Sequence, residues 1–114
     1  HSLQLVDRNT CKPLDQHRAG MAVAEGAGML LFTTEKPVTP LAELGGVGLS
    51  CDAYHPAAPH PEGQGAFAAM AAALADAGVT PEDIGYINLH GTGTPDNDLA
   101  ESKAVRRLFA VPPP

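Results

Sequence analysis

Apolar residues in the first half of the chain fall in short blocks. Gly20 to Thr33 contains Met21-Ala-Val-Ala and Met29-Leu-Leu-Phe, separated by Glu25-Gly-Ala-Gly. Short apolar runs bounded by turn residues are typical of buried strands, so this segment is predicted to form one strand, or two joined at the bend. A further strand is predicted over Leu44 to Ser50, where glycines would let another backbone approach closely.

The segment from Gly65 to Ala77 has a helical pattern instead. Its apolar residues recur three and four positions apart and form one stripe: Phe67, Met70, Ala71, Leu74 and Ala77. Gly78 is expected to end this helix. Thr80-Pro-Glu-Asp then predicts a short helical turn, with Thr as the N-cap and Pro in the first helical position.

A predicted strand, Ile84 to His90, ends at the turn Gly91-Thr-Gly-Thr-Pro. Side chains alternate along a strand, which places Ile87 and Leu89 on one face and His90 on the other. Ligands of α/β sheets bind beyond the carboxyl ends of the strands. His90 and the glycine-rich turn occupy such a position, so this is the first place to look for chemistry.

Three side chains at this turn have useful chemistry. His90 could donate a hydrogen bond to a developing oxyanion or carry a proton. The hydroxyls of Thr92 and Thr94 could bond to an amide or a phosphate, and the glycines let a ligand approach the backbone. From residue types alone, an ordinary strand-end histidine followed by a plain loop remains an open alternative, because short motifs match by chance.

The last predicted element is a helix that begins near Asp98, whose spacing to Glu101 is that of a capping box. Glu101 shares a side of this helix with Val105 and Leu108, so if buried it would need a partner, which could be a Lys outside this chain. The basic residues are predicted to form a solvated face: Lys103, Arg106 and Arg107. The order of strands and helices along the chain indicates an α/β fold.

Composition excludes several kinds of partner. The 114 residues have a net charge of −6, which argues against nucleic acid or an anionic membrane as the main partner. The longest apolar run, Gly28 to Phe32, is too short to span a membrane, and no signal peptide is visible. Cys11 and Cys51 are too few for a disulfide scaffold and favour a reducing, cytoplasmic compartment.

No metal site is predicted. Asp52, His55 and His60 lie in a Pro-rich segment with irregular ligand spacing, and no pair of cysteines accompanies them. A solvated loop from Asp7 to Arg18 is likewise predicted from its polar residues and Pro13.

The segment from His90 to Glu101 reads His-Gly-Thr-Gly-Thr-Pro-x-x-Asp-x-x-Glu, which resembles the signature of the 3-oxoacyl-(acyl-carrier-protein) synthases. These β-ketoacyl synthases are the condensing enzymes of fatty acid and polyketide synthesis. Other segments resemble the same family in the same order: Cys11-Lys-Pro-Leu-Asp with Arg18, Glu25-Gly-Ala-Gly, Ser50-Cys-Asp-Ala-Tyr-His, Pro61-Glu-Gly-Gln-Gly and Thr80-Pro-Glu-Asp-Ile-Gly-Tyr-Ile-Asn.

The resemblance implies a thiolase-like fold of two related halves. Residues 1–114 would be a partial synthase domain, covering the end of the first half and the start of the second. The family's nucleophilic Cys would lie upstream of His1, and its second His and its Lys downstream of Pro114. The family has Asp-Gly-Phe where this chain has Ala19-Gly20-Met21, which leaves the acyl preference and the subfamily undetermined.

The resemblance also implies a reaction, a decarboxylating Claisen condensation with malonyl-acyl-carrier-protein. By motif match, His90 corresponds to one of two histidines that stabilise the enolate, and Thr92 and Thr94 to threonines that bind the phosphopantetheine arm. Glu101 corresponds to the acid that pairs with an active-site Lys. No cofactor is implied beyond the phosphopantetheine that carries the substrate.

The expected partners are an acyl carrier protein, the remainder of the synthase domain and a second copy of the parent. This chain alone is expected to be inactive. Two alternatives stay open: a chain-length-factor-like subunit without the nucleophile, and a non-catalytic domain that binds its own ligand at the Gly-Thr-Gly-Thr turn.

Overall fold

The computed structural model describes residues 5–35 and 39–114. Within these ranges the regular elements are helix α1 (Gln64–Ala77), a 3₁₀ turn (Pro81–Asp83) and helix α2 (Pro95–Leu108). Neither helix combines the length and the apolar character needed to cross a membrane. The remaining described residues run as extended segments and loops, with isolated bridges between Val6 and Met21 and between His55 and Ala58.

Helix α1 confirms the helix that was predicted from the stripe of apolar residues. Gly63 precedes it and Gly78 follows it, both left-handed, with φ of 62° and 66°. The Gly78 N–H donates to Ala75 O at 3.2 Å, which satisfies a carbonyl of the last turn. The stripe residues are half-buried, so the helix packs along this face without enclosing it.

Asp52 caps α1 from a distant loop. Its Oδ1 accepts a hydrogen bond from Gly65 N at 2.6 Å, and its Oδ2 accepts one from His60 N at 3.0 Å. A carboxylate at a helix N-terminus is stabilised by the free N–H groups and by the helix dipole. Asp52 therefore ties the Pro-rich loop to the start of α1.

The two histidines of this loop also serve its backbone. The Nδ1 atom of His55 accepts from Ala57 N at 3.1 Å, and that of His60 accepts from Glu62 N at 3.2 Å. Across residues 5–35 and 39–114, no group of three His, Cys, Asp or Glu side chains is arranged to hold a metal ion.

The segment from Leu44 to Ser50 forms no strand within the described residues, contrary to the prediction, but its glycines do let another backbone approach closely, here that of α1. A Cβ at Gly46 would lie 2.6 Å from Ala73 O, and one at Gly48 would overlap Ala69 O. The segment is also tied to both ends of the helix. Val47 N donates to the carboxylate of Asp76 at 2.9 Å, and the Ser50 hydroxyl donates to Gly65 O at 2.7 Å.

The prediction of a buried strand over residues 20–33 is wrong for the chain as described. Met29 and Leu31 are 98% and 94% exposed, and no strand pairs with this segment in the described ranges, apart from the bridge at Met21. A strand buries its side chains only when neighbouring strands and covering helices are present. The part of the chain that the structure describes supplies neither, which leaves a row of exposed apolar side chains: Val23, Met29, Leu30, Leu31 and Phe32.

The segment from Ile84 to His90 is extended and keeps the predicted alternation, although no described strand pairs with it. Ile87 and Leu89 are half-buried, whereas Tyr86, Asn88 and His90 are exposed. Ile87 N donates to Pro114 O at 3.0 Å, which fixes the middle of the segment.

Helix α2 begins at Pro95, with Thr94 as the N-cap residue, and not near Asp98. Proline is favoured in the first helical position because its fixed φ suits the helix and its missing N–H would have no partner there. The predicted capping box between Asp98 and Glu101 is therefore wrong, and both carboxylates are free to bond outside the helix. The buried core residues of this part are Ala100, Ala104, Val105 and Phe109.

The basic residues of α2 form a largely exposed face, as predicted, and two of them also make specific contacts. The guanidinium carbon of Arg107 lies 3.9 Å from the centre of the Phe67 ring, so a cation–π contact links α2 to α1. Lys103 Nζ lies 2.6 Å from Glu62 Oε1 and donates to Pro61 O at 3.1 Å. Arg106 is exposed, as predicted.

The contact between Lys103 and Glu62 gives a prediction for pH. The hydrogen bond from Lys103, helped by its charge, lowers the pKa of Glu62. A lowered pKa stabilises the fold at neutral pH, and this stabilisation disappears as the pH falls through the pKa of Glu62. In Lys103→Met the pKa of Glu62 is expected to rise toward its ordinary value, measured by NMR titration of the Glu62 side chain. Lys12→Met, which removes an exposed charge elsewhere, should leave it unchanged; an equal rise in both variants would refute the assignment.

Candidate active site

The turn after the extended segment brings two hydroxyls together. Left-handed conformations at Gly91 and Gly93, with φ of 51° and 77°, fold residues 90–94 back on themselves. The Oγ1 atoms of Thr92 and Thr94 lie 2.8 Å apart, and Thr94 N donates to Thr92 Oγ1 at 3.3 Å. Thr94 is 6% exposed. One hydroxyl proton is used between the pair, so the other hydroxyl can donate to a ligand.

His90 precedes this pair in the same turn, and its side chain is exposed. Within residues 5–35 and 39–114 its imidazole makes no hydrogen bond, whereas its backbone N–H is firmly held. The ring is therefore directed to the surface, with both nitrogens available to a ligand or to groups from outside these residues.

Glu101 holds the start of the turn from the first half of α2. Its Oε1 accepts from His90 N at 2.7 Å, and its Oε2 accepts from Gly91 N at 2.9 Å. Hydrogen bonds to a charged acceptor are stronger than neutral ones. The sequence indicated a Lys outside the chain as the partner of this carboxylate. Here its partners are two backbone amides of the turn itself, so Glu101 fixes the position from which the imidazole projects.

Asp98 holds the other end of the turn and was missed as a functional residue. Its side chain is 1% exposed. Oδ1 accepts from Gly93 N at 3.2 Å, and Oδ2 accepts from Leu14 N at 2.7 Å. The available signal was its position one helical turn before Glu101, on the side of α2 that also carries Val105.

The loop from Asp7 to Arg18 packs partly on the turn, although the sequence predicted only a surface loop. Arg18 Nη2 donates to Pro95 O at 3.0 Å, and Arg18 Nε lies 3.6 Å from Asp98 Oδ2. Cys11 Sγ contacts Thr92 O at 3.5 Å. The side chains of Arg18 and Cys11 are half-buried, while most of the loop is exposed.

Two open clefts lie beside α2, and neither is lined by His90. One of about 280 Å³ is bounded by Leu14, Arg18, Ser102 and Arg106. The other, of about 310 Å³, lies between Tyr54, Pro59 and Leu99. His90 is thus exposed on the surface of the described residues, whereas Thr92 is half-buried and Thr94 is buried.

Comparison with known proteins identifies related sequences for most of the chain. The family model described as "Beta-ketoacyl synthase, C-terminal domain" matches residues 41–113. "Nodulation protein E" of Rhizobium meliloti is 46% identical over 113 residues, which cover 95% of this chain and 28% of that protein. The "3-oxoacyl-[acyl-carrier-protein] synthase 2" of Staphylococcus aureus is 43% identical over 104 residues, 87% of this chain and 26% of that protein.

A solved structure resembles the fold closely. It is a ketosynthase in complex with its chain length factor from Xenorhabdus doucetiae, and it matches with a TM-score of 0.88 and 49% identity. The match covers 95% of this chain and 26% of that chain. The likeness supports the predicted thiolase-like fold, of which the described elements form a part. The chain spans about a quarter of the length of the proteins that it matches.

Proposed function

Since the chain belongs to the β-ketoacyl synthase family, through the C-terminal domain of that family, we propose that it is part of a condensing enzyme. Residues 1–114 form a partial synthase domain, which works together with the remainder of that domain. The enzyme joins an acyl thioester to a malonyl thioester in a decarboxylating Claisen condensation. In this reaction His90 acts on the thioester, and Thr92 and Thr94 bind the arm that carries it.

The observation that carries this proposal is the juxtaposition at one turn. His90, whose exposed imidazole makes no hydrogen bond in the described ranges, precedes by two residues the first of two threonines whose hydroxyls are 2.8 Å apart. Two carboxylates of α2 hold the backbone between them, Glu101 at His90 and Asp98 at Gly93. A preorganised donor is effective because it need not reorient as charge develops.

The proposed condensation requires a hydrogen-bond donor at the thioester oxygen that becomes negatively charged. When the malonyl thioester loses carbon dioxide, the electron pair of the broken C–C bond becomes an enolate. A ring N–H of His90 donates to the enolate oxygen and stabilises its negative charge. The enolate carbon then attacks the acyl thioester carbonyl, a new C–C bond forms, and the thiolate that carried the acyl group leaves and takes up a proton.

The residues that complete this reaction are proposed to lie outside residues 1–114. Neither cysteine of the chain is assigned the nucleophile: Cys11 is half-buried against Thr92 O, and Cys51 is an exposed free thiol. The second histidine and the Lys that pairs with Glu101 are likewise proposed to lie outside residues 1–114. The isolated chain is therefore proposed to be inactive.

The proposed substrate carrier is the phosphopantetheine arm of an acyl carrier protein, and no other cofactor is invoked. The hydroxyls of Thr92 and Thr94 suit the amides of such an arm, because one accepts from the other and leaves a donor free. The Staphylococcus aureus relative bears the acyl carrier protein in its name. A homodimer of the complete synthase is part of the same proposal.

The test is an assay of the complete synthase that carries this chain. It is incubated with an acyl thioester and malonyl-acyl-carrier-protein, and release of carbon dioxide and formation of the 3-oxoacyl product are both measured. We expect both in equal amounts. Absence of product from a folded, complete synthase would refute the proposed reaction, and product formed by the isolated 114-residue chain would refute the proposed division of the site.

One further measurement separates the condensing enzyme from a chain-length-factor-like subunit. The solved relative from Xenorhabdus doucetiae contains a chain of each kind. A condensing enzyme takes the acyl group onto a cysteine, which mass spectrometry detects as a covalent adduct of the complete protein. Retention of the His90, Thr92 and Thr94 set favours the condensing enzyme, because a subunit without chemistry does not need all three.

A further inference from the structure

We propose that the outer face of α2, together with the 14–18 loop beside it, docks an acidic helix of an acyl carrier protein. This inference rests on the proposed function, in which a carrier protein delivers the thioester to the threonine pair. The surface is the open cleft of about 280 Å³ beside α2, which we call the basic cleft. Two segments supply its exposed and half-buried walls: Leu14 and Arg18 from the loop, and Leu99, Ser102, Lys103 and Arg106 from α2.

The α2 wall of the basic cleft is a single stripe of the helix. Its four residues follow one another at intervals of three and four, so they share one face. Packing within the described ranges uses another face of α2, which carries Ala104 at 0% exposed. On the stripe, by contrast, Leu99 is 51% exposed and Arg106 is exposed as well. The stripe is therefore free to contact a partner.

Charge distinguishes the basic cleft from the rest of the chain. The chain has a net charge of −6, yet three of its seven Lys and Arg residues line this cleft, with only the buried carboxylate of Asp98 among them. Lys103 is bonded to Glu62, and Arg18 lies 3.6 Å from Asp98. Arg106 makes no ion pair or hydrogen bond within residues 5–35 and 39–114. It supplies the free positive charge, so the complementary partner surface is acidic.

Two exposed leucines give the basic cleft an apolar part. Leu14 from the loop is 49% exposed, and Leu99 from α2 is 51% exposed. Leu14 has φ of 63°, which is strained for a residue with a Cβ, and its N–H is held by Asp98 at 2.7 Å. Backbone strain of this kind is retained mainly at functional sites. A fixed apolar contact next to a free cation suits a helix that has an apolar side chain between acidic ones.

The position of the basic cleft relative to the turn identifies the partner. Arg18 lines the cleft and also donates to the carbonyl oxygen of Pro95, the residue after Thr94, at 3.0 Å. Arg106, at the other end, lies twelve residues after Thr94, which is about 18 Å along the helix. A protein docked in the cleft is thus within one helix length of the threonine pair. The carrier protein must come this close, because its arm has to reach Thr92 and Thr94.

Arg106→Glu tests the docking surface with two substrates that differ in the carrier protein alone. In the complete synthase, KM for malonyl-acyl-carrier-protein should rise about five- to tenfold at low salt, because like charges then face each other. KM for a malonyl-pantetheine thioester, which has no protein to dock, should change by less than about 1.5-fold. Arg8→Glu, which makes the same charge change at an exposed residue outside the cleft, is the matched control and should change neither KM.

Salt separates the charged part of this contact from the apolar part. At about 0.5 M salt the effect of Arg106→Glu on KM for malonyl-acyl-carrier-protein should fall below about twofold, because exposed charges are screened. Leu14→Ala should raise the same KM about threefold at low and at high salt, because the loss of an apolar contact is not screened. It should leave KM for the malonyl-pantetheine thioester unchanged.

The outcomes distinguish this inference from the proposed function. Equal changes of the two KM values in Arg106→Glu, or no change in either, would overturn the docking surface while product formation continues. A change in the oligomeric state of Arg106→Glu, measured by size-exclusion chromatography, would also overturn it, because the cleft would then be an interface between copies. If the unmodified synthase forms no 3-oxoacyl product from either substrate, the proposed function fails and the docking surface fails with it.

Discussion

Replacing His90 with alanine in the complete synthase is expected to lower kcat for condensation by about 10²- to 10³-fold, the effect of removing one preorganised donor from a developing oxyanion. The fold should be unaffected, because the imidazole is exposed and makes no hydrogen bond within the described residues. The hydrogen bond from His90 to Glu101 is made by the backbone N–H, which alanine keeps. The measurement is the steady-state rate of 3-oxoacyl product formation, with a thermal melt to check folding.

The reaction step that His90→Ala slows is as informative as the size of the loss in kcat. Acyl transfer to the nucleophilic cysteine precedes the enolate step, so covalent acylation of His90→Ala should proceed at close to the normal extent. His17→Ala, which removes another exposed imidazole, is the matched control and should retain full activity. A normal condensation rate in His90→Ala would show that this imidazole does not stabilise the enolate.

Local patterns along the chain predicted helix α1 and the 3₁₀ turn well, whereas they placed the start of α2 near Asp98 instead of at Pro95. The stripe of α1, the Pro81–Asp83 turn and the alternation around Ile87 and Leu89 are all present, because each depends on neighbours in sequence. A close backbone approach at the glycines of residues 44–50 was also predicted, although its partner, α1, was not.

Features that depend on distant partners could not be predicted in this way. Apolar character in residues 20–33 indicates a need for burial, but not whether covering segments are present, and here these side chains are exposed. The carboxylates of Asp98 and Glu101 match a capping box by spacing. Their actual partners, Gly93 N, Leu14 N, His90 N and Gly91 N, were not apparent until the turn and the 14–18 loop were folded against α2.

Among alanine substitutions at the glycines of this turn, Gly93→Ala is expected to lower the free energy of unfolding the most. Gly93 has φ of 77°, where an L-residue is strained by about 1 kcal/mol. A Cβ there would lie 2.6 Å from Gly20 O and 3.1 Å from Cys11 Sγ. Overpacking of this kind adds about 1–3 kcal/mol, so the free energy of unfolding should fall by about 3 kcal/mol in total.

The strain cannot be relieved by a shift of Gly20. The neighbouring backbone is fixed in a parallel bridge, in which Met21 N donates to Leu5 O at 2.8 Å and Asp7 N donates to Met21 O at 3.0 Å. A Cβ on Gly20 would itself lie 2.6 Å from Leu5 O, which shows how little room remains on that side. The turn must therefore move instead, and the Thr92–Thr94 spacing must move with it.

Gly78→Ala provides the matched control for backbone strain alone. Gly78 has φ of 66° at the end of α1, and a Cβ there would meet no heavy atom within 4 Å. The Gly78→Ala variant should therefore lose only about 1 kcal/mol of the free energy of unfolding, from backbone strain, and keep full activity. Thermal melts of both variants of the complete synthase, followed by measurement of KM for the malonyl-pantetheine thioester, test the argument. Equal losses of Tm in the two variants would mean that the contact between Gly93 and Gly20 does not constrain the turn, because backbone strain would then account for the whole effect.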